Sequence, residues 1–283
     1  MRLVSFERNG KAALGVREGD KVRVLGEETL ESLLARGVNL LAYANSQGSQ
    51  EEYVDPAGLK FLPPLSRPPK IICVGLNYAD HTAESPYKQP EYPTLFFRVA
   101  TSLIAHEQPM IRPRVTDSEG LDFEGEIAAV IGEGGRHIAK ADALSHVLGY
   151  SVFNDGSVRE YQFKAPQWTV GKNFDGTGAF GPDLVTADEL PPGIKGLKLE
   201  TRLNGEVVQS ASTNDMIYDV ATLISVISEA ITLEAGDVIV TGTPAGIGWA
   251  RAPKLLMKAG DVCEVTVEKI GTLRNVIADE AVI

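Results

Sequence analysis

The chain has 283 residues, enough to bury a large core, with an ordinary soluble composition of 43% hydrophobic and 23% charged residues. Its formal net charge of −11 argues against a nucleic-acid or anionic-membrane partner, and no apolar run is as long as a membrane span. The opening MRLVSFERNG lacks a signal-peptide core, and Cys73 and Cys263 sit in apolar, strand-like runs without ligand spacing, so buried packing in the reducing cytoplasm is expected.

In chain order, LVSFERNGKAALGVREGDKVRVL reads as hairpin strands turning at Asn9-Gly10 and Gly19-Asp20. Leu30 to about Tyr43 reads as a short helix. LPPLSRPPK, from Leu62 to Lys70, is an extended, semi-rigid connector, because proline fixes its own backbone and biases the residue before it. It divides a small N-terminal α+β unit, residues 1–64, from a larger unit, residues 65–283. KIICVGLNY, TLFFRVATSLIA and FEGEIAAVIG follow as strands, Lys140–His146 as a short helix, and HVLGYSVFNDGS as a strand ending at an Asn-Asp-Gly turn. Leu197–Val208 reads as a hairpin at Asn204-Gly205. Asp215–Leu233 has helical period, with Ile217, Val220, Leu223 and Ile224 on one stripe. DVIVTG and DVCEVTVEKIGTLRN are closing strands. The class is α+β and β-rich.

Four segments carry chemistry. In LDFEGEIAAVIG, residues two apart on a strand share a face, so Asp122, Glu124 and Glu126 stack acids on one side, with Asp155 after a nearby turn. Crowded carboxylates resist ionising together, and a hard divalent cation such as Mg²⁺, Mn²⁺ or Ca²⁺ relieves that; the alternative is a solvated face of an edge strand. In NYADHTAESP, His81 and Glu84 are three apart, the layout of an oriented base or of a surface capping pair. His106, His137 and His146 read as structural. Arg159, Gln162 and Lys172 follow Asp155 closely and suit an anionic, oxygen-rich substrate; the alternative for Lys172 is an exposed loop lysine. NFDGTG has a calcium-loop look, but the position of a closing glutamate is Leu184. GDVIVTGTPAGIGWA fits neither nucleotide-loop pattern; it reads as a turn bringing backbone and the Thr243 hydroxyl to a ligand, or as a plain bend.

Taken together, GLNYADHTAE, LDFEGEIAAVIG, FNDGSVREYQ, VGKNFDGTGAFGP, NDMIYDVATLISVIS and AGDVIVTGTPAGIG resemble the fumarylacetoacetate hydrolase family, in the family's order from Ile71 onward. The resemblance implies a mixed β-roll or sandwich core behind a small leading domain, in a homodimer. It implies that Glu124, Glu126 and Asp155 bind Mg²⁺ or a similar ion, with Asp122 beside them. It implies that His81 and Glu84 form a water-activating dyad on a lid flanked by Pro86, Pro90 and Pro93. It also implies that Arg159, Gln162, Lys172 and Thr243 hold the substrate's oxygens, Lys172 and Gln162 stabilising an oxyanion. The expected reaction is C–C hydrolysis of a small 2,4-diketo acid, such as an acylpyruvate, fumarylpyruvate or diketo-deoxy sugar acid. Oxaloacetate decarboxylation and keto–enol or double-bond isomerisation of a hydroxymuconate-type diacid use the same enolate chemistry. A non-catalytic metal-dependent binder would leave the His81–Glu84 pair without purpose.

Overall fold

The structure, a computed structural model, describes residues 1–47, 52–84, 91–116 and 120–281. The first sixty residues give strands β1 (Arg2–Arg8), β2 (Lys11–Glu18), β3 (Lys21–Gly26), β4 (Tyr53–Val54) and β5 (Lys60–Phe61). Next come β6 (Ile71–Gly75), β7 (Thr94–Arg98), β8 (Leu103–Ile104), β9 (Met110–Arg112), β10 (Gly125–Ile131), β11 (Val147–Asp155) and β12 (Gly178–Thr186). The last are β13 (Lys198–Leu203), β14 (Glu206–Ser212), β15 (Val238–Val240), β16 (Val262–Val267) and β17 (Gly271–Asp279). Helices are few: α1 (Leu30–Ala35), α2 (Leu40–Ser46), α3 (Ala79–Glu84), α4 (Arg159–Gln162) and α5 (Val220–Ala230). None of those described is long and apolar enough to cross a membrane.

A 12-stranded mixed sheet runs β4-β3-β2-β1-β12-β11-β10-β15-β6-β7, with β5 on β1 and β8 on β12. A 5-stranded sheet runs β14-β13-β16-β17-β9. The first sixty residues therefore continue the large sheet through the antiparallel pair β1–β12, Leu3 opposite Leu184. Their Val4, Phe6, Ala13, Val22 and Val24 also form a cluster with Phe61 and Ala105.

Hairpins form where turn chemistry is explicit. Asn9 and Gly10, like Asn204 and Gly205, both take positive φ, the backbone a two-residue turn requires. The helix expected over Leu30–Tyr43 is two helices. Gly37 turns the chain at φ +64°, and Asn39 then caps α2 by accepting from the Ala42 N–H. The stripe of Asp215–Leu233 becomes helical only at Val220, because the Asp219 carboxylate accepts from the Thr222 N–H and starts α5 there. TLFFRVATSLIA breaks after Arg98 into a 3₁₀ turn and a short β8. Lys140–His146 is helical only as a 3₁₀ turn at Ala143–His146.

The centre is β10, buried on both faces. Ile127, Ala129 and Ile131 pack with α5 and with Leu199, Val265 and Leu273 of the second sheet. Ala128 and Val130 pack the other way, towards Leu30 and Leu33 of α1 and the rings of Phe96, Phe153 and Phe180. Two-sided burial accounts for the continuous apolar run of this strand.

Candidate functional site

The acids emerge where β10 meets β11. Glu126 shares its face of β10 with Ala128 and Val130, and Asp155 shares its face of β11 with Phe153. Glu124 lies one residue before β10, held by its carbonyl accepting from the Asp155 N–H and its own N–H donating to Asn154 Oδ1. Oxygens of Glu124, Glu126 and Asp155 all lie within 4.8 Å of one another, and all three residues are buried. The solvated-face alternative is thereby set aside.

Three buried cations surround these acids. Lys172 Nζ donates to Glu124 Oε2 at 2.6 Å and to Asp155 Oδ2 at 2.7 Å. It is not a loop lysine in solvent; only 1% of it is exposed. Arg159 bonds Asp122 at 2.8 Å, lies 2.6 Å from Glu124, and donates to Gln162 Oε1 at 2.8 Å. Arg98 pairs with Asp155 and also donates to Thr177 and Ser102. Burial alone raises the Glu124 carboxyl, yet the charges of Lys172 and Arg159 hold it well below the usual carboxylate range. Glu126 goes the other way: burial, then the charges of Asp155 and Glu124, push it well above. Among the described residues no lysine or arginine pairs with Glu126, whose bond is to the Gly242 N–H at 2.5 Å. Clustered carboxylate oxygens with one acid left uncompensated are the donor set and charge deficit that fit a hard divalent ion.

The bend at 241–250 works through its backbone. Gly242 and Gly246 take positive φ, of +98° and +103°, and aim N–H groups at Glu126 and Glu84. The Gly248 and Trp249 N–H groups hold Asp122. Thr243 Oγ1 donates to the Gly125 carbonyl and accepts from Gln209 Nε2, each at 2.9 Å, so it braces the bend against β10 while still lining the cavity. On α3, His81 Nδ1 lies 2.9 Å from Glu84 Oε1. Glu84 is in turn fixed by Gly246, which fits an oriented base and not a surface capping pair.

One cavity of about 60 Å³ brings together His81, Glu84, Glu124, Glu126, Arg159, Gln162, Lys172 and Thr243. Asp155 lies beneath, tied through Lys172. Lys172 and Gln162, expected on a substrate oxyanion, bond protein groups here: Lys172 two carboxylates, Gln162 the Arg159 guanidinium. Pro86 and Pro90, expected to flank a lid, lie outside the described residues. The calcium-like NFDGTG stretch is a structural turn, in which Asn173 bonds the Phe97 and Thr169 carbonyls and the Val99 N–H.

Three residues escape sequence reasoning. Arg98 is a lone charge ending an apolar strand, and its only signal is that a buried guanidinium requires a carboxylate. Asn77 ties the start of α3 to the Tyr218 and Thr241 carbonyls. Gln209 braces Gly125 against the bend. His106 is structural as expected, accepting from the Arg274 N–H and meeting Phe61 edge-on.

Known proteins resemble this chain in sequence and fold. Residues 70–278 match the family model described as fumarylacetoacetate (FAA) hydrolase, C-terminal. A mitochondrial oxaloacetate tautomerase of Homo sapiens is 37% identical over 288 residues, 97% of this chain and 91% of that protein. The solved fumarylacetoacetate hydrolase of Exiguobacterium antarcticum superposes with a TM-score of 0.86 at 36% identity, covering 99% of this chain and 100% of that one. The solved 5-carboxymethyl-2-hydroxymuconate delta-isomerase of Mycobacterium smegmatis gives a TM-score of 0.79 at 30% identity, covering 99% and 100%.

Proposed function

The chain belongs to the fumarylacetoacetate hydrolase family, and from that premise we propose that it is a divalent-metal-dependent tautomerase of a small 2-oxo dicarboxylate of the oxaloacetate type. The observation that carries this is the wall-to-wall pairing of an oriented imidazole, His81 on Glu84, with the cation-rimmed acids Glu124, Glu126 and Asp155. Tautomerisation of such an acid moves one proton between the 2-oxo oxygen and C3, and that step needs a base beside an anion-binding floor.

Glu124, Glu126 and Asp155 would hold the ion, Mg²⁺ or Mn²⁺, with Ca²⁺ a third option; bound there it supplies Lewis-acid polarisation of a 2-oxo acid. His81 takes the enol hydroxyl proton and returns it to C3, so the O–H bond is exchanged for a C–H bond and the imidazole ends neutral, as it began. Glu84 keeps the imidazole in one tautomer. Arg159, Gln162 and Thr243 line the cavity where carboxylate oxygens would sit, and Lys172 adds positive charge beneath them. A small anionic acid is the partner this lining suits. A homodimer, and a cytoplasmic setting in keeping with the buried free cysteines Cys73 and Cys263, complete the reading.

C–C hydrolysis of an acylpyruvate is the second reading, favoured by the same His81–Glu84 pair, which can orient a water as readily as a substrate. The deciding experiment supplies enol-enriched oxaloacetate and acetylpyruvate with Mg²⁺ or Mn²⁺ and follows enol absorbance, pyruvate and CO₂ together. Accelerated enol loss without pyruvate or CO₂ is expected, and His81→Ala lowers it about 10²–10⁴-fold. Pyruvate with an organic acid co-product establishes hydrolysis instead, and CO₂ release establishes decarboxylation.

A further inference from the structure

Beyond the small catalytic cavity lies a second, outer chamber of about 760 Å³. The two chambers share Leu76, Phe96, Phe163 and Trp168 as common wall. Trp168 belongs to an otherwise exposed stretch, in which Ala165, Pro166, Gln167, Thr169 and Val170 all face solvent. Its ring alone folds inward, meeting Phe96 edge-on at 5.6 Å and packing on the main core. Gly75 makes room for it, since a Cβ there would collide with the indole. The other side of the wall is chemical: Lys172 Nζ lies 5.2 Å from the centre of the Phe96 ring.

We propose that Trp168 is a partition that sets the length of oxo acid the site accepts, a specificity residue for the 2-oxo-acid reading on which this inference rests. With the ring in place, the acid's chain ends at the inner chamber. With the ring removed, the chambers join, and a longer aliphatic tail gains apolar contact with Leu76, Phe96 and Phe163 while its oxo-carboxylate end stays on the same floor.

The test is calorimetric binding of pyruvate, 2-oxobutyrate, 2-oxohexanoate and 2-oxooctanoate to the full-length protein in saturating Mg²⁺, so that no turnover is required. Wild type is expected to bind the eight-carbon acid at least about tenfold more weakly than the four-carbon acid. Trp168→Ala is expected to erase or invert that ratio, and Trp168→Phe to keep part of it. Gly75→Ala, whose added Cβ would overlap the indole and force the ring to move, shifts the ratio in the same direction as Trp168→Ala and decides the matter if that variant does not fold. A wild-type protein indifferent to length overturns the partition, as does a folded Trp168→Ala or Gly75→Ala whose ratio stays within about twofold of wild type. Those results leave the oxo-acid reading standing. Failure of every one of these monocarboxylic acids to bind any of the proteins also overturns the partition, and the oxo-dicarboxylate reading is then decided separately by the oxaloacetate assay.

Discussion

Asp155 accepts from Arg98 on one side and Lys172 on the other, with all three side chains out of solvent. Arg98→Met leaves that carboxylate half-compensated and is expected to cost about 3–5 kcal/mol of stability without metal. Saturating Mg²⁺ should recover part of the loss, as read by urea unfolding with and without the ion. Glu126→Gln removes the acid that no buried cation balances, so it is expected to abolish Mg²⁺ binding in calorimetry while the near-UV spectrum stays native. His106 gives the pH prediction. Burial depresses its pKa; Glu107 and Asp183 oppose this, and Arg17 and Arg274 reinforce it. The native imidazole is therefore neutral when the unfolded one begins to protonate at about pH 6.5. Its contribution is complete above that value and is lost as pH falls through the depressed native pKa. His106→Gln should flatten the fall of Tm between about pH 7 and pH 5.

At the scale of elements, the bend at 241–250 joins three acids that come from two stretches of chain, Glu84 of α3 and Asp122 and Glu126 around the start of β10. Gly242→Ala adds a Cβ 2.7 Å from that of Asn77 in a backbone region closed to alanine. The expected result is a loss of about 1–3 kcal/mol and weaker Mg²⁺ binding, measured by thermal unfolding and titration calorimetry. This bend also marks the limit of what the sequence discloses. Glu124, Glu126, Asp155, His81 and Glu84 are legible because their chemistry lies in side chains at informative spacing. Backbone N–H groups leave no such mark, so a run of glycines looks the same whether it binds nucleotide, holds carboxylates or merely turns. Arg98, Asn77 and Gln209 are single residues whose partners lie 57, 141 or 164, and 84 positions away, beyond any local pattern. The hairpins at Asn9-Gly10 and Asn204-Gly205 were readable for the opposite reason, since each turn is fixed by its own two residues. Leu30–Tyr43 misleads because its apolar stripe passes over Gly37, where φ is positive.

Across the whole molecule, the large sheet ends on β7, with no further strand beside it among the described residues. Phe97 and Val99 there are 43% and 51% exposed, and Val170, linked to the same stretch through Asn173, is 57% exposed. An apolar sheet edge of this kind is the natural contact for a second copy. Sedimentation of wild type at twice the 30.4 kDa chain mass is expected, and Phe97→Asp should shift it to the single-chain value. The pairing of β1 with β12 has a different consequence, one of timing. Arg2 meets Val185 and Val4 meets Asp183, so the outer edge of the first strand at Arg2–Val4, opposite its β2 side, lacks its β12 partner until some 180 further residues exist. At the usual pace of about 5–20 residues per second, the ribosome needs roughly 10–40 s to make them. Through that interval the leading hairpins present a raw edge, and the carboxylate floor stays open for longer still, until Gly242 emerges to close it.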